Sequence, residues 1–261
     1  MKADRIRQLM PLALIIIILG TKPIDAENEC EKQNLVTAID IGHSKLRPGA
    51  YSAHGVTEYE FNQAVAGLLF KEMLHEGYSK SFFINNHREE IPLIDRVEIA
   101  NAARADLLLS IHHDSVQPQY LRRWIYKGKK HHYSDKYKGF SIFYSEKNAM
   151  PQMSLSFAQM LGTEMIGEGF VPSLHHAEKI KGENRELVDK NRGIYKYDDL
   201  IILEGAKMPG VLFECGIIVN RNEEKYLCDP INQRKIVLAL IRSLDNYCKF
   251  IRKWSSYKRP R

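Results

Sequence analysis

Short runs of apolar and β-branched residues alternate along the first half of the chain with longer stretches whose apolar positions recur at helical spacing. Residues 35–41 form a run that predicts a buried strand, and 81–84 and 107–111 predict two more. From Glu58 onward, apolar residues return every three or four positions, which predicts a helix, and a second helix is predicted over 93–105. This alternation is typical of an α/β sheet with helices on both faces.

The second half of the chain continues the same two patterns. It predicts strands at 139–144 and 211–213, and helices at 153–168 and from 231 to about 254. No internal repeat or low-complexity linker separates these elements. We therefore expect one α/β domain in which a single sheet is flanked by helices on both faces.

The N-terminal segment has a different pattern, because a basic start precedes an apolar run at 10–19 and Ala26 then offers a small side chain for cleavage. This order is typical of a secretory signal peptide. An uncleaved membrane anchor is the alternative, but the run is shorter than the roughly 20 residues that a spanning helix needs. We expect a signal peptide at 1–26 and a periplasmic or cell-wall-associated domain at 27–261, with no membrane span after cleavage.

The net charge of the chain is positive. It is +6 for the full sequence, and removal of residues 1–26 takes away four cationic and two anionic residues and leaves +4. A modest positive excess favours an extended anionic partner such as a bacterial cell wall. Nucleic acid is not an expected partner, because an exported protein seldom meets it.

Four cysteines lie beyond the predicted cleavage point. An even number in an oxidising compartment allows two disulfides with three connectivities. Cys30 precedes the first predicted strand and Cys248 lies in the last predicted helix, so Cys30–Cys248 is the preferred bridge. Cys215 and Cys228 are equally compatible with small buried side chains.

Four residues with side chains suited to metal or proton chemistry stand at the ends of predicted elements. His43, His112 and Glu214 each follow a predicted strand, whereas Glu58 opens the first helix directly after Thr57, its predicted N-cap. Ligands in α/β sheets bind beyond the carboxyl ends of the strands, so we expect the four side chains at one rim. Two imidazoles and a carboxylate can hold Zn²⁺ with one open position, and a second carboxylate can then act as a general base.

Each of these residues also has an ordinary explanation. A histidine near a strand end usually forms a hydrogen bond or faces solvent, and a glutamate at a helix start is favoured by the helix dipole. Glu214 is harder to explain in this way, because an ionised carboxylate after an apolar run is costly unless it is paired. Asn62, one helical turn after Glu58, is a candidate for substrate binding or for orienting that carboxylate. His175 and His176 are candidates for the wall of the cleft, and we place His176 in the predicted substrate-binding set.

The motifs around these residues resemble those of the zinc-dependent N-acetylmuramoyl-L-alanine amidases, which are bacterial cell-wall amidases. The similarity extends in order over nearly the whole predicted mature chain. Its motifs are Ile-Asp-Ile-Gly-His ending at His43, Glu-Tyr-Glu-Phe-Asn beginning at Glu58, Ala-Asp-Leu-Leu-Leu-Ser-Ile-His ending at His112, and Pro-Gly-Val-Leu-Phe-Glu ending at Glu214. The resemblance implies that His43, Glu58 and His112 are ligands of one Zn²⁺ and that Glu214 is the catalytic carboxylate. It also implies a mixed sheet within the α/β fold.

The function implied by this resemblance is hydrolysis of the amide bond between N-acetylmuramic acid and L-alanine in peptidoglycan. Two alternatives remain open: a zinc carboxypeptidase or aminopeptidase that acts on peptidoglycan, and a non-catalytic wall-binding relative. A protein activator is a further expected partner, because some relatives carry a segment that blocks the zinc until an activator displaces it. Glu178, Glu183 and Glu186, in the polar stretch 173–192, are the candidates for such a blocking role here.

Overall fold

The computed structural model describes residues 30–85 and 90–258, so the predicted signal peptide at 1–26 lies outside the described residues. The strands are β1 (Thr37–Ile41), β2 (Phe82–Phe83), β3 (Leu107–Asp114), β4 (Arg122–Tyr126), β5 (Lys129–Tyr133), β6 (Ser141–Tyr144), β7 (Glu186–Asp189), β8 (Ile194–Lys196) and β9 (Gly210–Ile217). The α-helices are α1 (Glu58–His75), α2 (Leu93–Ala102), α3 (Pro151–Gly167), α4 (Ile201–Glu204), α5 (Arg221–Cys228) and α6 (Pro230–Lys258).

Seven strands form one mixed sheet in the order β2-β1-β3-β9-β6-β8-β7. The pairs from β2 to β9 are parallel, as is β6 with β8, whereas β6 with β9 and β7 with β8 are antiparallel. The two remaining strands, β4 and β5, form a separate antiparallel hairpin. The mixed sheet in a single α/β domain is therefore confirmed.

Helices cover both faces of the sheet, as the hydrophobic pattern predicts. Along β3, Leu107, Leu109 and Ile111 pack into the cluster that contains buried residues of α1, α3 and α6. Leu108 points the other way, into a second cluster with buried residues of α2 and α4. Alternate side chains of a strand point to opposite faces, so this uninterrupted apolar run is what a strand buried on both faces requires.

Two polar stretches of the sequence, 117–138 and 173–192, contain elements that hydrophobic periodicity does not reveal. The stretch 117–138 holds the β4–β5 hairpin, whose two-residue turn, Lys127 and Gly128, has positive φ angles of 48° and 76°. Such a turn matches the twist of a hairpin. The stretch 173–192 holds a 3₁₀ turn at His175–Ala177 and the whole of β7. Both stretches fold through contacts with the rest of the domain rather than through an apolar stripe of their own.

The beginning of the described chain is joined to its last helix. Cys30 and Cys248 form a disulfide in the structure, with their Cα atoms 5.7 Å apart. Of the other two cysteines, Cys215 is buried and Cys228 is exposed, and both are free thiols. Across the described residues, none of the helices combines the length and apolarity needed to cross a bilayer.

Candidate functional site

His43, Glu58 and His112 meet near the carboxyl ends of β1 and β3, and we call them the donor triad. His43 follows β1 as predicted, whereas β3 continues to Asp114 and β9 to Ile217, so His112 and Glu214 lie inside strands rather than after them. Glu58 lies between the two imidazoles: its Oε2 is 2.9 Å from His43 Nε2, and its Oε1 is 3.0 Å from His112 Nδ1. One potential ligand atom from each residue lies within 4.8 Å of the other two. Nitrogen and carboxylate oxygen donors at this spacing are a suitable set for a zinc ion.

The backbone around His43 adopts a conformation that few residues tolerate. His43 has a φ angle of 69°, in the left-handed region. The Arg96 guanidinium holds it there by donating to the carbonyl oxygens of His43 at 2.8 Å and Ile41 at 3.1 Å. Arg96 is itself buried in an ion pair with Asp40 at 3.0 Å, and Asp40 also accepts a hydrogen bond from Ser110 at 2.5 Å. A buried charged pair beneath the loop therefore fixes the direction of His43.

Two glycines allow the loop to approach the donor triad closely. A Cβ atom on Gly42 would lie 2.4 Å from the ring of His112. Gly49 has a φ angle of 76°, and a Cβ there would lie 2.4 Å from Glu58 Oε2. Neither position has room for a side chain, because real Cβ contacts are not found at such distances. The loop is shaped around the donor atoms.

Glu58 is the first residue of α1. Thr57 is the N-cap and forms a capping box with Glu60, which confirms the predicted helix start. The Glu58 carboxylate also accepts a hydrogen bond from the Ala50 backbone at 3.1 Å. Burial raises the pKa of Glu58, but hydrogen bonds from His112 and His43 outweigh burial and hold the pKa well below its usual range. Glu58 is therefore ionised at neutral pH.

Asn62 lies one turn further along α1 and is fully buried. Its amide donates to the carbonyl oxygen of Gly42 at 3.0 Å and to Glu58 Oε1 at 3.4 Å, and its Oδ1 pairs with His113 Nδ1 at 2.8 Å. A side chain without exposed surface has no face for substrate, and its contacts are those that hold Glu58 and the Gly42 backbone. His113, which sequence reasoning left without a role, completes this contact. Burial lowers its pKa to about 3, so it stays neutral.

Glu214 stands on β9 directly opposite His112 of β3 in the sheet register. The residue is half-buried, but its Oε2 atom is inaccessible and has no hydrogen-bond partner in the described part of the chain. Burial, together with the negative charges of Asp114 and Glu58, raises the pKa of Glu214 well above its usual value. A carboxyl group in this state is suited to taking up and releasing a proton.

A second group of polar side chains, Asp114, His175 and His176, lies beside Glu214, and we call it the His–His cluster. Asp114 and His176 line the same cavity as Glu214, and His175 is buried next to His176. Asp114 Oδ2 is 3.3 Å from His175 Nε2 and 2.9 Å from His176 Nε2, and Glu183 Oε2 pairs with His176 Nδ1 at 2.8 Å. Both ring nitrogens of His176, the predicted substrate-binding residue, are therefore engaged by carboxylates. Sequence reasoning missed Asp114, although its position two residues after His112 on the same strand was a usable signal.

The three glutamates considered for a blocking role are all paired away from the donor triad. Glu183 contacts His176 and Gln117, Glu178 accepts hydrogen bonds from Tyr120 and Tyr137, and Glu186 pairs with Lys196. None of these contacts reaches His43, Glu58 or His112. The stretch 173–192 instead forms part of the cavity that Glu214 lines.

Comparisons with known proteins show which family the chain is similar to. A family model described as N-acetylmuramoyl-L-alanine amidase matches residues 37–246. A curated relative from Buchnera aphidicola subsp. Baizongia pistaciae, named a putative N-acetylmuramoyl-L-alanine amidase, is 24% identical over 226 residues, which cover 85% of this chain and all of that protein.

Two solved structures share the fold. Ami1 from Mycobacterium smegmatis, an N-acetylmuramyl-L-alanine amidase, is 18% identical with a TM-score of 0.64, covering 82% of this chain and 97% of that one. The CwlD amidase from Clostridioides difficile, solved in complex with the GerS lipoprotein, is 23% identical with a TM-score of 0.60, covering 82% of this chain and 98% of that one.

Proposed function

The chain belongs to the N-acetylmuramoyl-L-alanine amidase family, and we propose that it hydrolyses the amide bond between the lactyl carbonyl of N-acetylmuramic acid and the L-alanine of the peptidoglycan stem peptide. In this proposal one Zn²⁺ is held by His43, Glu58 and His112, and Glu214 is the general base. The observation that supports this assignment best is the register of the sheet, which sets Glu214 opposite His112 at the rim where the donor triad meets.

The donor triad fits a zinc ion by its chemistry and by its surroundings. Two imidazoles and an ionised carboxylate converge, and the loop approaches them so closely that Gly42 and Gly49 have no room for a Cβ atom. Zn²⁺ at this position would act as a Lewis acid on the scissile carbonyl and would lower the pKa of water to about 7. Asn62 and Arg96 contribute by fixing Glu58 and the His43 backbone, since residues behind the ligands orient them.

Glu214 is the residue to which we assign proton transfer. Its carboxylate takes a proton from the attacking water and then delivers it to the departing alanine nitrogen. Glu214 lines the cavity, and no donor in the described chain is bonded to its Oε2, which supports the role. Glu58 is stabilised in its ionised form by the two histidines, and its negative charge helps to raise the pKa of Glu214 above its usual value.

Two adjoining cavities can accommodate the substrate. One, of about 350 Å³, is lined by His43 and His112, and the other, of about 260 Å³, is lined by Glu214. Leu200 and Leu212 line both cavities, so the two spaces meet between the donor triad and the proposed base. We assign the scissile amide to this junction, with the sugar and the stem peptide extending to opposite sides.

Digestion of purified peptidoglycan, with and without a chelator, tests the proposal against its alternatives. Mass spectrometry should find released stem peptides with a free N-terminal L-alanine, and the chelator should stop their release. Shortened stem peptides that remain attached to the glycan would indicate a carboxypeptidase or another peptidase instead. Binding to the wall without any released product, by zinc-loaded protein, would indicate a wall-binding relative.

We further propose that residues 1–26 direct export and that the mature domain works in the periplasm or at the cell wall, on peptidoglycan. The Cys30–Cys248 disulfide supports an oxidising compartment. N-terminal sequencing of protein recovered from the cell envelope should begin at Glu27, and a start at Met1 would contradict cleavage. A protein activator remains part of the proposal, and activity of the purified protein that does not change when envelope extract is added would count against it.

A further inference from the structure

The His–His cluster has the arrangement of a metal site that the assigned function does not use. His175 and His176 are consecutive residues of one 3₁₀ turn, and their rings lie with centroids 3.8 Å apart. Both Nε2 atoms point toward the same oxygen, Asp114 Oδ2, at 3.3 and 2.9 Å. One potential ligand atom from each residue lies within 4.8 Å of the other two, the same limit that the donor triad meets.

Each imidazole is held by a partner on its other nitrogen. His175 Nδ1 pairs with Ser173 Oγ at 2.8 Å, and His176 Nδ1 pairs with Glu183 Oε2 at 2.8 Å. Histidines that bind metals commonly use the second nitrogen in this way, because the partner fixes the tautomer and the ring direction. The carboxylate of Glu183 is fixed in turn by a hydrogen bond of 2.8 Å from Gln117.

An unpartnered buried atom provides a separate indication of a ligand. The His175 side chain is 2% exposed, and its Nε2 has no hydrogen-bond partner in the part of the chain that the structure describes. The Asp114 oxygen is near enough for an ion pair but is not placed to accept a hydrogen bond from it. A buried ring nitrogen without a partner is costly, and a cation bound between His175, His176 and Asp114 would satisfy it.

We propose that Asp114, His175 and His176 bind a second divalent metal ion, of the class that prefers imidazole and carboxylate ligands, with Zn²⁺ as the first candidate. Asp114 and His176 line the same cavity as Glu214, so the bound cation would offset the negative charge of Asp114 beside the proposed base. Glu183 and Ser173 act as positioning residues. The competing explanation is a metal-free cluster in which His176 is a cation paired with Asp114 and Glu183.

Counting metal ions in single-site variants distinguishes these explanations. The mature protein is stripped of metal, reconstituted with Zn²⁺, separated from free ion and measured by inductively coupled plasma mass spectrometry. We expect two Zn²⁺ per chain in the wild type, one in His43→Ala, one in His176→Gln and none in the double variant. His75→Ala is the matched control and should keep two, because the His75 side chain is 78% exposed at the end of α1 and belongs to neither the donor triad nor the His–His cluster.

One Zn²⁺ in the wild type, or an unchanged count in His176→Gln, would overturn the second site. If that single ion is lost in His43→Ala and the wild type still releases stem peptides, the proposed function stands while this inference fails. Circular dichroism checks the fold of each variant, and Asp114→Asn replaces His176→Gln should the latter unfold. As a second measurement, Co²⁺ titrated into His43→Ala should give a visible d–d absorption band that the double variant lacks. Absence of that band from folded His43→Ala would also overturn the second site.

Discussion

The donor triad and the His–His cluster use the same kinds of side chain but are built in different ways. The triad takes its members from the end of β1, the start of α1 and the end of β3, three places fixed by the sheet and its flanking helix. The cluster takes one member from β3 and two from a single 3₁₀ turn in the polar stretch 173–192. One site is therefore set by the core of the domain, and the other forms only when a surface stretch folds against it.

The two sites also differ in what lies behind them. Beneath the triad, Arg96 and Asp40 form a buried ion pair that holds the His43 backbone. Behind the cluster, Glu183 and Ser173 hold the imidazoles directly, and the stretch is further attached by the Arg185 guanidinium over the ring of Tyr197 at 3.8 Å. The triad is therefore supported by a buried ion pair of the core, whereas the cluster is supported by residues of its own surface stretch.

The largest effect is expected from removal of a triad ligand. His43→Ala should lose the triad metal and reduce stem-peptide release by at least about 10³-fold, since a Lewis-acid metal supplies several kcal/mol of transition-state stabilisation. The measurement is product release by mass spectrometry together with metal content. His75→Ala, whose side chain is 78% exposed, is the control and should retain full activity. Near wild-type turnover in folded His43→Ala would move the reaction centre away from the triad.

A comparable loss of turnover is expected at the proposed base, but with a different metal result. Glu214→Gln removes proton transfer and keeps the size of the side chain, so release of stem peptides should fall by about 10²–10⁴-fold. The triad metal should remain, because Glu214 is not among its donors. Metal analysis of the same preparation checks this point. If Glu214→Gln emptied the triad site, Glu214 would be a ligand and not the base.

Loss of the buried ion pair beneath the triad should mainly lower the free energy of unfolding. Arg96→Ala leaves the Asp40 charge buried without its partner, and a loss of about 3–5 kcal/mol in the free energy of unfolding is expected from urea denaturation. Arg47→Ala is the matched control, because its pair with Glu90 involves an arginine side chain that is 83% exposed. Such surface pairs contribute about 1 kcal/mol or less. Equal losses in the two variants would mean that burial does not distinguish these pairs.

The triad was accessible to sequence reasoning for a physical reason. Strands buried on both faces produce apolar runs, and a polar residue that ends such a run, as His112 and Glu214 do, stands out against it. The His–His cluster has no comparable signal. His175 and His176 lie in a polar stretch without periodicity, and their pairing with Asp114 is a tertiary contact across about 60 positions, with separations of 61 and 62 residues. The hydrophobic pattern did not predict the hairpin β4–β5 for the same reason, since its strands show little apolar alternation.

The smallest effects, and the sharpest test of the comparison, come from the residues that orient each site. Asn62→Ala should weaken metal binding at the triad by about 10–100-fold, and Glu183→Gln should weaken it at the His–His cluster by a similar factor, because partners behind the ligands fix their direction. Each variant is the control for the other, since Asn62 contacts Glu58 and Glu183 contacts His176. Metal titrations monitored by Co²⁺ absorption measure the two affinities separately. If both variants weakened both sites equally, the triad and the cluster would be one coupled centre rather than two.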